Sequence, residues 1–137
     1  MKRFFLLTAV ILGLYFSANA QQTIADTTLV IQFESLVHDY GTIAKGSDGT
    51  CEFVFTNMGQ TPLIVNKAQA SCGCTVPEWT REPVQPGKTG TIKVKYNTNI
   101  VNAFTKTVTV TSNAKNSPVV LTIKGTVTDQ TAVTDPK

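Results

Sequence analysis

The sequence is short of the residues that most chemistry requires. Its 137 residues include one histidine, one tryptophan, three cysteines and only 15% charged residues. A histidine acting as a base needs a nucleophile and an orienting acid. His38 has Asp39 beside it in sequence, but neighbours on a strand point to opposite faces, so His38 reads as a strand-edge residue. No run of Lys or Arg suggests a nucleic-acid surface. No glycine-rich phosphate loop is present, since the glycines stand singly at turns. Glu78 and Glu82 come nearest to a carboxylate pair, but glycoside cleavage also needs a cleft and sugar-stacking aromatics, which a chain with one tryptophan offers poorly. After residue 20, no stretch keeps apolar residues at helical spacing.

The long apolar run is confined to the start. Lys2 and Arg3 precede an apolar stretch from Phe4 to Phe16, and Ser17-Ala18-Asn19-Ala20 ends in a small-x-small pattern. This predicts a signal peptide over residues 1–20, cut after Ala20, and hence an exported protein, periplasmic or secreted. The run is short for a membrane span of about 20 residues. Gln21 rather than cysteine follows the cut, which argues against a lipid anchor. The remaining 117 residues suit one domain. Losing Lys2 and Arg3 leaves ten basic against nine acidic residues, a net charge of +1, so the basic balance of the full sequence comes partly from the leader. No integral membrane segment follows the predicted cut.

What the chain does have is alternation with a period of two. Leu29, Ile31 and Phe33 alternate with polar or outward positions; so do Cys51, Phe53 and Phe55, Ile92, Val94 and Tyr96, Val108 and Val110, and Val119, Leu121 and Ile123. Weaker strands are expected near 37–43 and 63–69. Between them lie turn signals at 46–49, 57–60 and 85–88, and a polar loop at 112–118. Strands with one apolar face must bury it, and only another sheet is available. The expectation is all-β: a single immunoglobulin-like antiparallel β-sandwich of about seven strands over residues 28–127, with a loose segment at 21–27 and a tail at 128–137.

Several stretches occur in one order: HDYGTI (38–43), FVFTNMGQTPLIV (53–65), ASCGCTVPEW (70–79), PVQPGKTGTIKVKYNT (83–98), then VTVTSN through VVLTIKGTV (108–127). In these the chain resembles the bacterial domain-of-unknown-function 1573 family, most specifically at Ser71-Cys72-Gly73-Cys74-Thr75 with Pro77, Glu78, Trp79 and the Pro86-Gly87 turn. The resemblance implies an exported immunoglobulin-like sandwich, related to domains of sperm-tail and centrosomal proteins and of pilus chaperones. It implies no activity, and Cys51 lies outside its pattern.

Cys72 and Cys74 admit three readings. A disulfide between them would close a very small ring that glycine permits, and strained disulfides are readily reduced. Redox catalysis also needs a lowered thiol pKa, and the nearest clear cation in sequence is Arg81. As soft ligands the pair would suit copper(I) or zinc, with Cys51, His38 and Met58 as the remaining candidates. As structural residues they could pack, or one could bridge to Cys51 on the inward face beside Phe53 and Phe55. The structural reading, with a possible disulfide from Cys51 to Cys72 or Cys74, is preferred, and the thiol-redox or soft-metal use of Cys72 and Cys74 is the alternative. Trp79 lies between Pro77 and Pro83, so it is expected on a stiffened loop, either covering one end of the sandwich or, with Glu78 and Arg81, presented to a partner. Lys93 and Lys95 alternate outward and suit edge protection. The sequence therefore predicts an exported module with no catalytic residues and no cofactor, which binds another protein through a sheet face, the 75–86 loop or an edge strand.

Overall fold

Alternating apolar residues build eight strands in a computed structural model that describes residues 28–129. They are β1 (Ile31–Phe33), β2 (Val37–Ala44), β3 (Thr50–Asn57), β4 (Val65–Ala70), β5 (Thr75–Trp79), β6 (Thr89–Tyr96), β7 (Ala103–Ser112) and β8 (Val119–Thr128). One sheet has the order β1-β3-β6-β5 and the other β2-β8-β7-β4. The fold is an immunoglobulin-like all-β sandwich with eight strands rather than seven. The expected leader and most of the expected tail lie outside the described residues.

The period-two pattern explains the core. Along β3, Cys51, Phe53 and Phe55 are buried, and along β6 Ile92, Val94 and Tyr96 are buried, as alternation in a half-covered sheet requires. Val108 and Val110 of β7 and Leu121, Ile123 and Val127 of β8 face them from the other sheet. Tyr96 stacks on Phe104 across the sandwich with ring centroids 3.7 Å apart. Gly90 is required by packing, because a Cβ there would overlap the Phe55 ring.

Two features depart from the sequence expectation. The first concerns pairing. β1 runs antiparallel to β3, but β2 runs parallel to β8. The chain crosses between sheets at Glu34–Leu36 without reversing, so the continuing strand meets β8 in the same direction. Glu34 N still bonds to Val54 O at 3.0 Å, and Leu36 O already accepts Thr122 N at 2.8 Å. The sandwich is therefore not wholly antiparallel. The second concerns Thr75–Trp79, which form a strand and not a loop. Thr75, Pro77 and Trp79 turn inward while Val76 and Glu78 are exposed. Pro77 is tolerated because β5 is an edge strand. Thr80 N bonds to Thr91 O, so by alternation the missing Pro77 donor faces away from β6.

Candidate functional site

The strands run between two ends of the sandwich. At one end, three asparagine side chains tie distant loops. Asn57 is fully buried, and its Nδ2 donates to Thr61 O at 2.7 Å and Val84 O at 2.8 Å, while its Oδ1 accepts Gly59 N at 2.8 Å. Asn113 accepts Ile64 N and donates to Pro62 O. Asn116 accepts Ile31 N at 3.1 Å and donates to Ile31 O at 2.9 Å, occupying the open edge of β1 as a further strand would. Leu63 and Val84 exchange two backbone bonds and pin the approach to β4.

The opposite end carries Cys72 and Cys74. These two form a disulfide with Cα atoms 5.3 Å apart. Of the two pairings left open by the sequence, the local one is made and the bridge from Cys51 to Cys72 or Cys74 is not: Cys51 is a free buried thiol. Cys51 points into the core from β3, opposite Val94 of β6, with its thiol against the Tyr40 hydroxyl, whereas Cys72 and Cys74 share the half-exposed turn between β4 and β5. Burial pushes the Cys51 thiol above its usual range, and burial together with the neighbouring Cys51 thiol holds Tyr40 above its own. Tyr40 also donates to Gly49 O at 2.7 Å.

The turn holding the disulfide is anchored on both sides. Ser71 N bonds to Thr107 O, and Ser71 Oγ accepts Thr107 N at 3.2 Å. Cys74 O accepts Asn97 N at 2.9 Å. A bridge across so few residues removes little unfolded-chain entropy, about 1–2 kcal/mol by the loop-length relation. Beside it opens a cleft of about 620 Å³, lined by the 46–49 turn, Gly73, Cys74, Val76, Lys95 and the 96–99 segment. Val76, at 57% exposure, is the most exposed large apolar side chain among the described residues. β6 thus brings Lys95 to the wall of the same cleft as Cys74, a cation that sequence proximity alone does not reveal. In the disulfide state Cys72 and Cys74 present no thiolate to a metal. Among the described residues no group of three or more His, Cys, Asp and Glu side chains is placed to hold one. His38 packs edge-on to Tyr40, and Asp39 pairs with Lys124 at 3.5 Å.

Trp79, Glu78 and Arg81 do not form one patch. Trp79 is half-buried, and its Nε1 donates to Val65 O at 3.1 Å, linking β5 of one sheet to β4 of the other. Arg81 lies 3.7 Å over the Trp79 ring. Glu78 faces outward on the other side of β5, opposite Lys93, which pairs with Glu52 at 3.5 Å.

A family model described as "Protein of unknown function (DUF1573)" matches residues 31–127, which takes in all eight strands but for the last residue of β8. The chain belongs to the DUF1573 family. Solved structures share the fold of this DUF1573 domain. A protein of unknown function from Porphyromonas gingivalis W83 superposes with a TM-score of 0.65 at 14% identity, over 73% of this chain and 47% of that one. The ASH / PapD-like domain 7 of human CEP192 gives 0.60 at 7% identity, over 75% and 87%. The Vibrio cholerae VesB protease gives 0.55 at 12% identity, over 75% and 32%. The DUF1573 chain therefore spans less than half of the Porphyromonas protein and about a third of VesB. No curated protein sequence matches it. Identities this low carry the fold alone. Among the described residues no helix is long and apolar enough to cross a membrane.

Proposed function

We propose that the domain is an exported, non-catalytic protein-binding module that takes an extended segment of its partner as an added strand on the free edge of β4. The observation that carries this reading is the contrast among the four sheet edges. β1 is capped by Asn116. β2 is broken by an irregularity between Asp39 and Thr42, where Gly41 takes a left-handed φ of 63°. β5 lacks a donor at Pro77. β4 has its irregularity at the start, between Val65 and Lys67, where Trp79 also takes the Val65 carbonyl, and from Lys67 to Ala70 its register with β7 is unbroken. Since Ser71 N bonds to Thr107 O, alternation along the β4–β7 ladder turns the N–H and C=O of Ala68 and Ala70 away from β7. A strand laid there would run from the Trp79–Arg81 stack to the Cys72–Cys74 turn, with main-chain bonds supplying affinity. Export rests on the leader pattern of residues 1–20.

The test compares the wild type with Ala70→Pro against a displayed library of extended peptides. Proline at 70 removes an N–H that the β4–β7 ladder does not use. The variant is expected to keep its circular dichroism spectrum and lose peptide capture. Equal capture by a folded Ala70→Pro variant would exclude this edge as the site. Trp79→Ala should weaken capture while the domain stays folded.

A further inference from the structure

We propose that the Cys72–Cys74 disulfide is a thiol-exchange site, opened by the thiolate of a small or protein-borne dithiol that reaches Cys74 from the end cleft. Strand addition on β4 is not needed for this.

Four observations converge. The bridge is half-exposed, and Cys74 lines the cleft while Cys72 does not. The turn is held by Ser71 to β7 and by Cys74 O to Asn97, so the backbone keeps its path when the bridge opens. Gly73 has no left-handed φ, and apart from its two neighbours in the chain a Cβ there would meet nothing within 4 Å, so no other part of the protein covers the turn at this point. Finally, Thr75 is only 3% exposed, and its hydroxyl lies 3.7 Å from Cys72 Sγ and 4.0 Å from Cys74 Sγ. A hydroxyl there can donate to a departing thiolate, and a hydrogen bond to the charged form favours it. Lys95, which shares the cleft wall with Asp48, brings a positive charge to the same cleft, and a basic neighbour is a recognised source of thiolate stabilisation.

The exchange balances as follows. The incoming thiolate attacks Cys74 Sγ, forming a mixed disulfide, and the S–S electron pair leaves on Cys72 Sγ, which takes a proton from solvent. The second thiolate of the dithiol then attacks its own sulfur in the mixed disulfide, and Cys74 leaves and is protonated. The dithiol loses two electrons and two protons and becomes a disulfide, while Cys72 and Cys74 become thiols. The reverse sequence starts from the two thiols, reduces a disulfide-bearing protein and closes the bridge again.

The experiment treats the native protein with dithiothreitol, and separately with millimolar reduced glutathione, then alkylates and maps the thiols while following near-ultraviolet circular dichroism. Labelling of Cys72 and Cys74 with Cys51 unlabelled and the spectrum unchanged is the expected result. A bridge that opens only in denaturant, together with Cys51 labelling, would overturn the proposal. The direction of attack is read by quenching the glutathione reaction early and mapping which cysteine carries glutathione in the mixed disulfide. Glutathione on Cys74 with Cys72 free is the expected result. Glutathione on Cys72, or equally on both, would overturn the assignment of attack to Cys74.

Discussion

The two ends of this sandwich are built from different materials. At one end, amides of Asn57, Asn113 and Asn116 bridge loops separated by up to 85 residues in sequence, and Asn57 is completely buried. At the other, a disulfide spans two positions, and a cleft stays open beside it. Long-range ties inside the protein cost stability when cut, since a buried partner is left unsatisfied. A short covalent loop costs little. The contrast teaches that the covalent bond is the weaker structural element here, and that the end carrying it is the one where the proposed thiol exchange would disturb the fold least.

The largest effect should come from the sealed end. Asn57→Ala leaves the Thr61 carbonyl and the Gly59 N–H without this partner, takes one of two donors from Val84 O, and should cost about 2–4 kcal/mol, measured by urea unfolding. Cutting the open end should cost less: Cys72→Ser combined with Cys74→Ser is expected to lose about 1–2 kcal/mol. A double variant as damaging as Asn57→Ala would break the comparison. Arg81→Ala removes only the stack over Trp79 and should cost about 0.5–1 kcal/mol, read from the same unfolding curves.

A pH titration sharpens the picture of the core between the two ends. Cys51, Tyr40 and Tyr96 all have raised values, mainly through burial. The folded state therefore holds these protons more tightly than the unfolded chain. Their contribution is fully present below the unfolded values of 9.0 for the thiol and 10.0 for the phenols, and is lost as pH rises beyond them. Thermal unfolding should show a midpoint that is steady below pH 9 with respect to these groups and falls above it. A midpoint that rises above pH 9 would contradict their burial in protonated form.

Much of the scaffold was legible because burial in a sheet leaves a period of two, as in Cys51, Phe53 and Phe55. β5 was hidden by Pro77, which argues against a central strand but not against an edge. The parallel β2–β8 pairing was hidden because a crossing between sheets at Glu34–Leu36 leaves no mark in local composition. Asn57 announces itself only as a turn residue, since its partner Val84 lies 27 positions away. The same holds for the site. Trp79, Cys72 and Cys74 stood out by rarity and spacing, but the Trp79 bond to Val65, the local pairing of the cysteines and the arrival of Lys95 at the cleft all depend on tertiary contacts. Glu78 stood out beside Trp79 in sequence, yet alternation along β5 puts it on the opposite face.

The most direct test of the open edge is residue-resolved hydrogen exchange on the free domain and on the domain with a captured peptide. The account predicts that the amides of Ala68 and Ala70 exchange quickly in the free protein while those of Gln69 and Ser71, bonded to β7, are protected, and that Ala68 and Ala70 slow when the peptide binds. Protection of Ala68 and Ala70 equal to that of Gln69 and Ser71 in the free domain would show the edge already occupied, and would contradict the claim.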